Sequence, residues 1–305
     1  MADLFRRSWK VTIDTIDASN LDIEFKILAT TKPEPNKCTL VVWNMNRETR
    51  QIIEKRNRPN QQTGVRIVVE AGYVNFTAKL FEGDMRNAVS QRDGVDWKTT
   101  ITADDGGRSW RESAISQTFT KGTPISTVLE KVATALGVGR GNIADFESQA
   151  QIAGVGSTLP AQMVMSGQAS RELDRLMRSI GFVWSIQNGA LQVQQKGQPL
   201  NATAIRLTSD TGLIGSPEAA IDATVSLGNP QQVIAGKSTP HKPKAKDPGI
   251  LRLRSFLIPG LRPGVQIDLE SAAYKGTYML PECEYRGQSW SREWYCDMIA
   301  RVFHG

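Results

Sequence analysis

From Gly64 to Ala103 the apolar positions fall in short runs that change at turn residues. Val65, Ile67 and Val69 recur at every second position, the signature of a half-buried strand. Leu80-Phe81 closes a second strand in this pattern, and Glu82-Gly83-Asp84 is expected to turn the chain. Gln91-Arg92-Asp93-Gly94 carries Asp-Gly at its tip, a short-hairpin signal. Trp97 to Thr102 follows as a strand rich in strand formers. Upstream, alternation predicts strands over Trp9–Ile13 and Leu21–Ile27, and Cys38–Trp43 reads as another. Asn44 to Arg58 is polar around Ile52-Ile53 and predicts a short helix capped by Asn44 or Asn46.

The same plan recurs about 200 residues later, around Gly264–Ala300. Gly64-Val65 matches Gly264-Val265, Ile67 matches Ile267, Val69 matches Leu269 and Glu70 matches Glu270. Asp96-Trp97 matches Glu293-Trp294, three residues out of step. Two copies of one antiparallel domain plan on one chain are the simplest reading.

Between them the periodicity changes. Thr123-Pro124 opens a helix with Thr as N-cap and Pro at the first helical position. Ile125, Val128, Leu129, Val132 and Leu136 follow at helical spacing, and Gly137 stops it. Leu159–Met165 reads as a short strand. Ser170–Ile180 is a second helix with Leu173, Leu176 and Met177 on one face. Phe182–Ile186 and Leu191–Val193 flank Asn188-Gly189 as a hairpin. The helices are expected to pack on Phe182, Val183 and Ile186. Lys237–Gly249 (KSTPHKPKAKDPG) is poor in apolar residues, so a mobile loop is expected there.

The chain has 305 residues, enough for two domains plus a small insert. With 40% hydrophobic and 22% charged residues it can bury real cores. No apolar run approaches the roughly 20 residues of a membrane helix. The start, MADLFRRSWK, lacks the apolar stretch of a signal peptide. A net charge of +6 is compatible with nucleic acid as a partner but does not single it out.

Candidate chemistry is sparse. The two histidines, His241 and His304, sit in the Lys/Pro loop and next to the last residue, which argues against a Ser-His-Asp or Cys-His site and a His-ligated metal. The three cysteines, Cys38, Cys283 and Cys296, show no Cys-x-x-Cys spacing and read as reduced core residues. Asp104-Asp105-Gly106-Gly107 has no EF-hand spacing and reads as a turn in which Asp bonds its own backbone. Gly137-Val138-Gly139-Arg140-Gly141 follows a helix, whereas a dinucleotide-binding loop follows a strand. No cofactor is called for. Lys237, Lys242, Lys244 and Lys246 form a candidate partner-contact loop beside the plainer reading of a solvated segment. Trp97 and Trp294, at matching places in the two copies, are candidate contacts between domains, because aromatic residues are enriched at interface cores.

Five segments carry a likeness: LFEGDMRNAVSQRDGVDWKTTITADDGGRSWRES, FTKGTPISTVLEKVATALGVGRGNI, SRELDRLMRSIGFVWSIQNGALQVQ, TGLIGSPE and RSFLIPGLRPGVQIDLES. In this order, over nearly the whole chain, they resemble the hub protein of contractile phage tail baseplates. The third segment also resembles the small α/β domain at the N-terminus of secretins, a likeness of fold alone. The resemblance implies a mainly β fold with a small α/β module. Two related antiparallel β-barrel domains, 1–118 and 198–305, would flank a helix-containing α/β domain, 119–197. It implies a homotrimer whose six barrels form a ring adapting the six-fold tail tube to the three-fold central spike. Implied partners are the tail tube protein, the central spike protein and other baseplate proteins, with the tape-measure protein as a further candidate. Genome DNA would pass through the lumen without specific binding. The place implied is the virion tail baseplate, assembled in the host bacterial cytoplasm. No catalytic residue is implied.

The alternative is an enzyme, a tail-associated peptidoglycan hydrolase using acids such as Asp104 or Asp105. Glycoside hydrolysis needs two carboxylates facing each other across roughly 5–10 Å. Adjacent acids in one turn do not supply that pair. A cell-wall lysis assay on the wild type and on an Asp104→Ala/Asp105→Ala double variant separates the readings.

Overall fold

The computed structural model describes residues 6–56, 64–74, 76–200, 203–220 and 249–303. Lys237, Lys242, Lys244, Lys246, His241 and His304 lie outside them, so the Lys/Pro loop is not part of this description.

The first half is built from β1 (Arg7–Ile13), β2 (Ile16–Asp17), β3 (Ile23–Thr30), β4 (Lys37–Trp43), helix α1 (Arg47–Arg56), β5 (Arg66–Tyr73), β6 (Phe76–Asp93) and β7 (Asp96–Asp104). Alternation explains β3: Ile23, Phe25 and Ile27 point into the core while their neighbours face outward. Asn46 caps α1, its Oδ1 accepting from the Thr49 N–H at 2.8 Å. Glu82-Gly83-Asp84 does not turn the chain. β6 runs through it as one 18-residue strand. Gly83 is needed for close approach, since a Cβ there would lie 2.5 Å from the Asp104 carbonyl oxygen and 2.6 Å from the Phe81 ring. Glu82 stays extended, paired with Arg66 and Lys79. The first part of β6 pairs with β5 and the last with β7, with the hand-over marked by a bulge at Arg86.

The middle module holds α2 (Gly107–Glu112), β8 (Ala114–Phe119), α3 (Ile125–Leu136), α4 (Phe146–Ile152), β9 (Met163–Gln168), α5 (Ala169–Ser179), β10 (Phe182–Gln187) and β11 (Ala190–Gln195). Three local expectations are corrected. Thr123 does not cap α3; its hydroxyl donates to the Thr120 carbonyl, and Pro124 stands at the cap position with no side-chain bond. The strand expected from Leu159 begins at Met163, where pairing with β8 starts. Trp184, not Val183, joins Phe182 and Ile186 in the core, as a period of two demands. Asn188 and Gly189 both take positive φ, 53° and 75°, as the tight β10–β11 hairpin requires.

The second half adds β12 (Ile205–Thr208), β13 (Leu213–Ala219), β14 (Ile250–Phe256), β15 (Gln266–Glu270), β16 (Lys275–Gln288) and β17 (Trp294–Arg301). The fold is mainly β. One 13-stranded sheet takes in both halves, and β8–β9 and β10–β11 form separate two-stranded sheets. Within the large sheet the order is β1-β5-β6-β7-β4-β3 in the first half and β12-β15-β16-β17-β14-β13 in the second. The correspondence reaches single hydrogen bonds. Met85 N–H donates to Val65 O at 2.8 Å, and Leu280 N–H donates to Val265 O at 2.9 Å. Both long middle strands then bulge before β7 and β17, between Met85 and Asn87 and between Met279 and Glu282. The halves differ at the start: β1 runs antiparallel to β5, whereas β12 runs parallel to β15.

One apolar core, including Ile27, Leu40, Ile67, Ile267, Leu280 and Met298, runs through both halves. A second core fills the module and takes Ile115 and Phe119 from β8.

Candidate assembly interface

Seven register pairs join β3 to β16 inside the chain, from Thr30 opposite Glu282 to Glu24 opposite Gln288. Gly287 sits opposite Phe25, and a Cβ there would overlap the Phe25 ring and lie 2.9 Å from the Trp294 ring. Gly287→Ala is therefore expected to lower stability by about 1–3 kcal/mol through overpacking, read as a shift in urea midpoint; an unshifted midpoint would show that the rings yield freely.

Trp294 is 2% exposed. Its ring meets Phe25 edge-on at 5.5 Å and Trp9 at 6.0 Å. Its indole N–H donates to the Gly72 carbonyl at 3.0 Å, and the Arg7 guanidinium lies 5.4 Å from the ring centre. This second-half tryptophan thus lies against β1, β3 and β5 of the first half. Glu284, 1% exposed, pairs with Lys26 of β3 at 3.4 Å and with Arg286. A buried carboxylate needs such partners, and losing one leaves an uncompensated charge. At the end of the seam the Ser289 hydroxyl donates to Asp22 and accepts from the Ile23 N–H.

Trp97 occupies the matching place on β7, but its surroundings differ. It is partly exposed, with the Arg50 guanidinium 3.5 Å from its ring centre and Arg92 at 5.9 Å. Asn44 fixes the backbone there, donating its N–H to Trp97 O and accepting from Trp97 N–H. The two tryptophans are not brought together.

The module is fastened to the first half through Asp105. The carboxylate of Asp105 does not bond its own turn, as the sequence suggested; its Oδ1 accepts from the Gly189 N–H at 2.9 Å across the module boundary. Gly106 has the expected positive φ of 67°. Asn36 donates to Ile186 O and to Gln187 Oε1, and Gln187 donates back to Thr30 O. Burial pushes the Asp105 carboxyl up to about 7, against the lowering effect of its backbone hydrogen bonds. Its other oxygen is buried without a hydrogen-bond partner in the structure. Asp104 meets Arg86 at 3.1 Å and Arg111 at 3.6 Å. Sequence reasoning missed Asn36, Gln187 and Glu284, because nothing local distinguishes a polar residue that serves a distant strand.

The three thiols are free and buried. Burial raises the Cys38, Cys296 and Tyr285 ionisations well above their usual ranges, and the Tyr285 hydroxyl donates to Leu261 O at 2.7 Å. Among the described residues no helix is long and apolar enough to cross a membrane, and no cluster of metal-binding side chains occurs.

A family model described as baseplate hub gp41 matches residues 9–236. No curated protein matches the chain. Among solved structures, the fold is similar to the 43 kDa tail protein of prophage MuSo2 from Shewanella oneidensis, with a TM-score of 0.60 at 9% identity over 96% of this chain and 98% of that one. A tail protein from Neisseria meningitidis MC58 is similar at a TM-score of 0.60 and 10% identity, over 98% and 97% of the two chains. The E. coli c3393 protein, a component of the type VI secretion system described as similar to the T4 tail proteins gp27 and gp5, gives 0.54 at 10% identity, over 97% and 77%.

Proposed function

Because the chain belongs to the baseplate hub gp41 family, we propose that it is the hub subunit of a contractile tail, three copies of which close into a ring. Such a ring is three-fold by identity and six-fold by shape. It meets a six-fold tail tube on one side and a three-fold central spike on the other. The observation that carries this reading is the shared strand order of the two halves, down to the paired Met85–Val65 and Leu280–Val265 hydrogen bonds. A chain with two copies of one plan needs only three subunits to present six similar faces.

In this reading the two β halves are the hub barrels, and the module between them begins earlier than residue 119, the boundary expected from the sequence, because β8 (Ala114–Phe119) pairs with β9 and lends Ile115 to the module's core. The partners are the tube protein, the spike protein and other baseplate proteins, assembled in the host cytoplasm and ending in the virion tail. The fold shared with tail and type VI secretion proteins supports a place in a tail-like assembly. The role is structural rather than enzymatic. Asp104 is held by two arginines and Asp105 is enclosed at a domain seam, so neither is supported as a hydrolytic acid.

Light scattering on the purified chain across a concentration series tests the ring. A species of three times the chain's 33.6 kDa is expected at high concentration. Dimers or hexamers as the end state would sink the three-subunit reading.

A further inference from the structure

Within the chain, β3 adds to the last part of β16 and so welds the second half to the first. The shared plan gives each of these strands a counterpart. By their pairing with β7 and β17, Asn87–Asp93 of β6 corresponds to Glu282–Gln288 of β16. By its pairing with β14, β13 corresponds to β3. Yet among the described residues β13 ends the strand order of the large sheet, with β14 as its neighbour. The Val89–Asp93 part of β6 is paired with β7, and among the described residues no strand lies along its other edge. The described residues thus present both halves of a junction that they close once, between β3 and β16.

We infer that β13 of one copy adds antiparallel to Val89–Asp93 of β6 in the next copy, repeating between chains the β3–β16 junction found within one. This deepens the ring reading and rests on it. The internal junction fixes the register. Tyr285 opposite Ile27, Arg286 opposite Lys26 and Gln288 opposite Glu24 translate to Ser90 opposite Ala219, Gln91 opposite Glu218 and Asp93 opposite Ile214.

Local features fit an edge kept for one partner. β13 shifts register between Ile214 and Glu218, and Pro217 has no N–H to lend, so pairing falls to the stretches on either side. A bulge and a proline are devices that keep an open edge from pairing indiscriminately. On the receiving edge Val89 is 49% exposed, an apolar side chain awaiting cover. Trp97, on the neighbouring strand β7, takes the place that Trp294 takes in the internal junction; Arg50 of its own half stacks on it, whereas Arg7 reaches Trp294 from the other half. The contact is heterologous, one patch against a different patch, which is what a closed ring requires. Strand addition supplies the main-chain hydrogen bonds.

The test is a double variant, Ser90→Cys with Ala219→Cys, oxidised and run without reductant. Cross-strand neighbours stand about 4.5–5.5 Å apart at Cα, within disulfide reach. The native thiols are buried, so the introduced pair reports alone. The expected result is a reducible ladder of two-chain and three-chain species that stops at three, absent from either single variant. Trimers by light scattering without a ladder would overturn the strand addition and leave the ring reading standing. A ladder running well past three would keep the edge pairing and sink the closed ring. A chain that stays monomeric and unlinked counts against both.

Discussion

Leu176→Ala is expected to cost about 2–5 kcal/mol, the usual price of truncating a core leucine. Leu176 is 3% exposed on α5 and shares the module's core with Leu129, Leu173, Phe146 and Phe182. The Phe146 and Phe182 rings already meet at 5.2 Å, which leaves little freedom to collapse into the void. The module's core is separate from the one running through the two β halves. Calorimetry should therefore show an early transition for the module while the main β transition keeps its place. A melting curve identical to wild type would show that this face of α5 is not core. A loss of both transitions together would show that the two cores unfold as one unit.

Asp105→Asn is expected to change how stability depends on pH. The carboxyl ordinarily ionises near 3.8 and in the folded chain near 7, because it is buried. Below pH 4 it is protonated in both states and contributes no difference. Between about 4 and 7 the unfolded chain loses the proton and the folded chain keeps it, so stability falls as pH rises. The loss levels off near pH 7 and amounts to about 4 kcal/mol at most, at 1.36 kcal/mol per pH unit. Asparagine carries no charge at any of these pH values, and its Oδ1 still accepts from Gly189. Urea midpoints at pH 5 and pH 8 should then diverge for the wild type relative to the variant, with the variant ahead at pH 8. Parallel pH dependences would show that Asp105 is not held neutral at the module seam.

Much of the strand layout was legible because alternation is local. The matches of Val65, Ile67 and Val69 to Val265, Ile267 and Leu269, and of Trp97 to Trp294, follow the pairing seen in the structure, including the three-residue slip between them. Misreadings arose where a residue's reason was not local. Gly83 looked like a turn because glycine marks turns, but it is there to let the Asp104 backbone approach. Val183 looked like core because it is apolar, but register puts Trp184 on the inner face. Trp97 and Trp294 looked equivalent because sequence records their spacing and not their neighbours. Only the second is covered within its own chain, since β3 pairs with β16. The Asp105–Gly189 and Asn36–Gln187 bonds join residues far apart along the chain, and no local pattern announces them.

The β3–β16 junction also sets a timetable. Thr30 leaves the ribosome well before Glu282, about 250 residues ahead of its partner. At 5–20 residues per second that is a wait of about 13–50 s. During it one edge of β3 stays open, although β4 and β7 are already made. Trp9, Phe25 and Gly72 likewise await the indole of Trp294. Final closure belongs to the last two strands translated, and losing closure entropy over so long a loop makes it a slow step. A ribosome that stalls before β16 therefore releases a chain with an apolar edge uncovered, the form most exposed to aggregation.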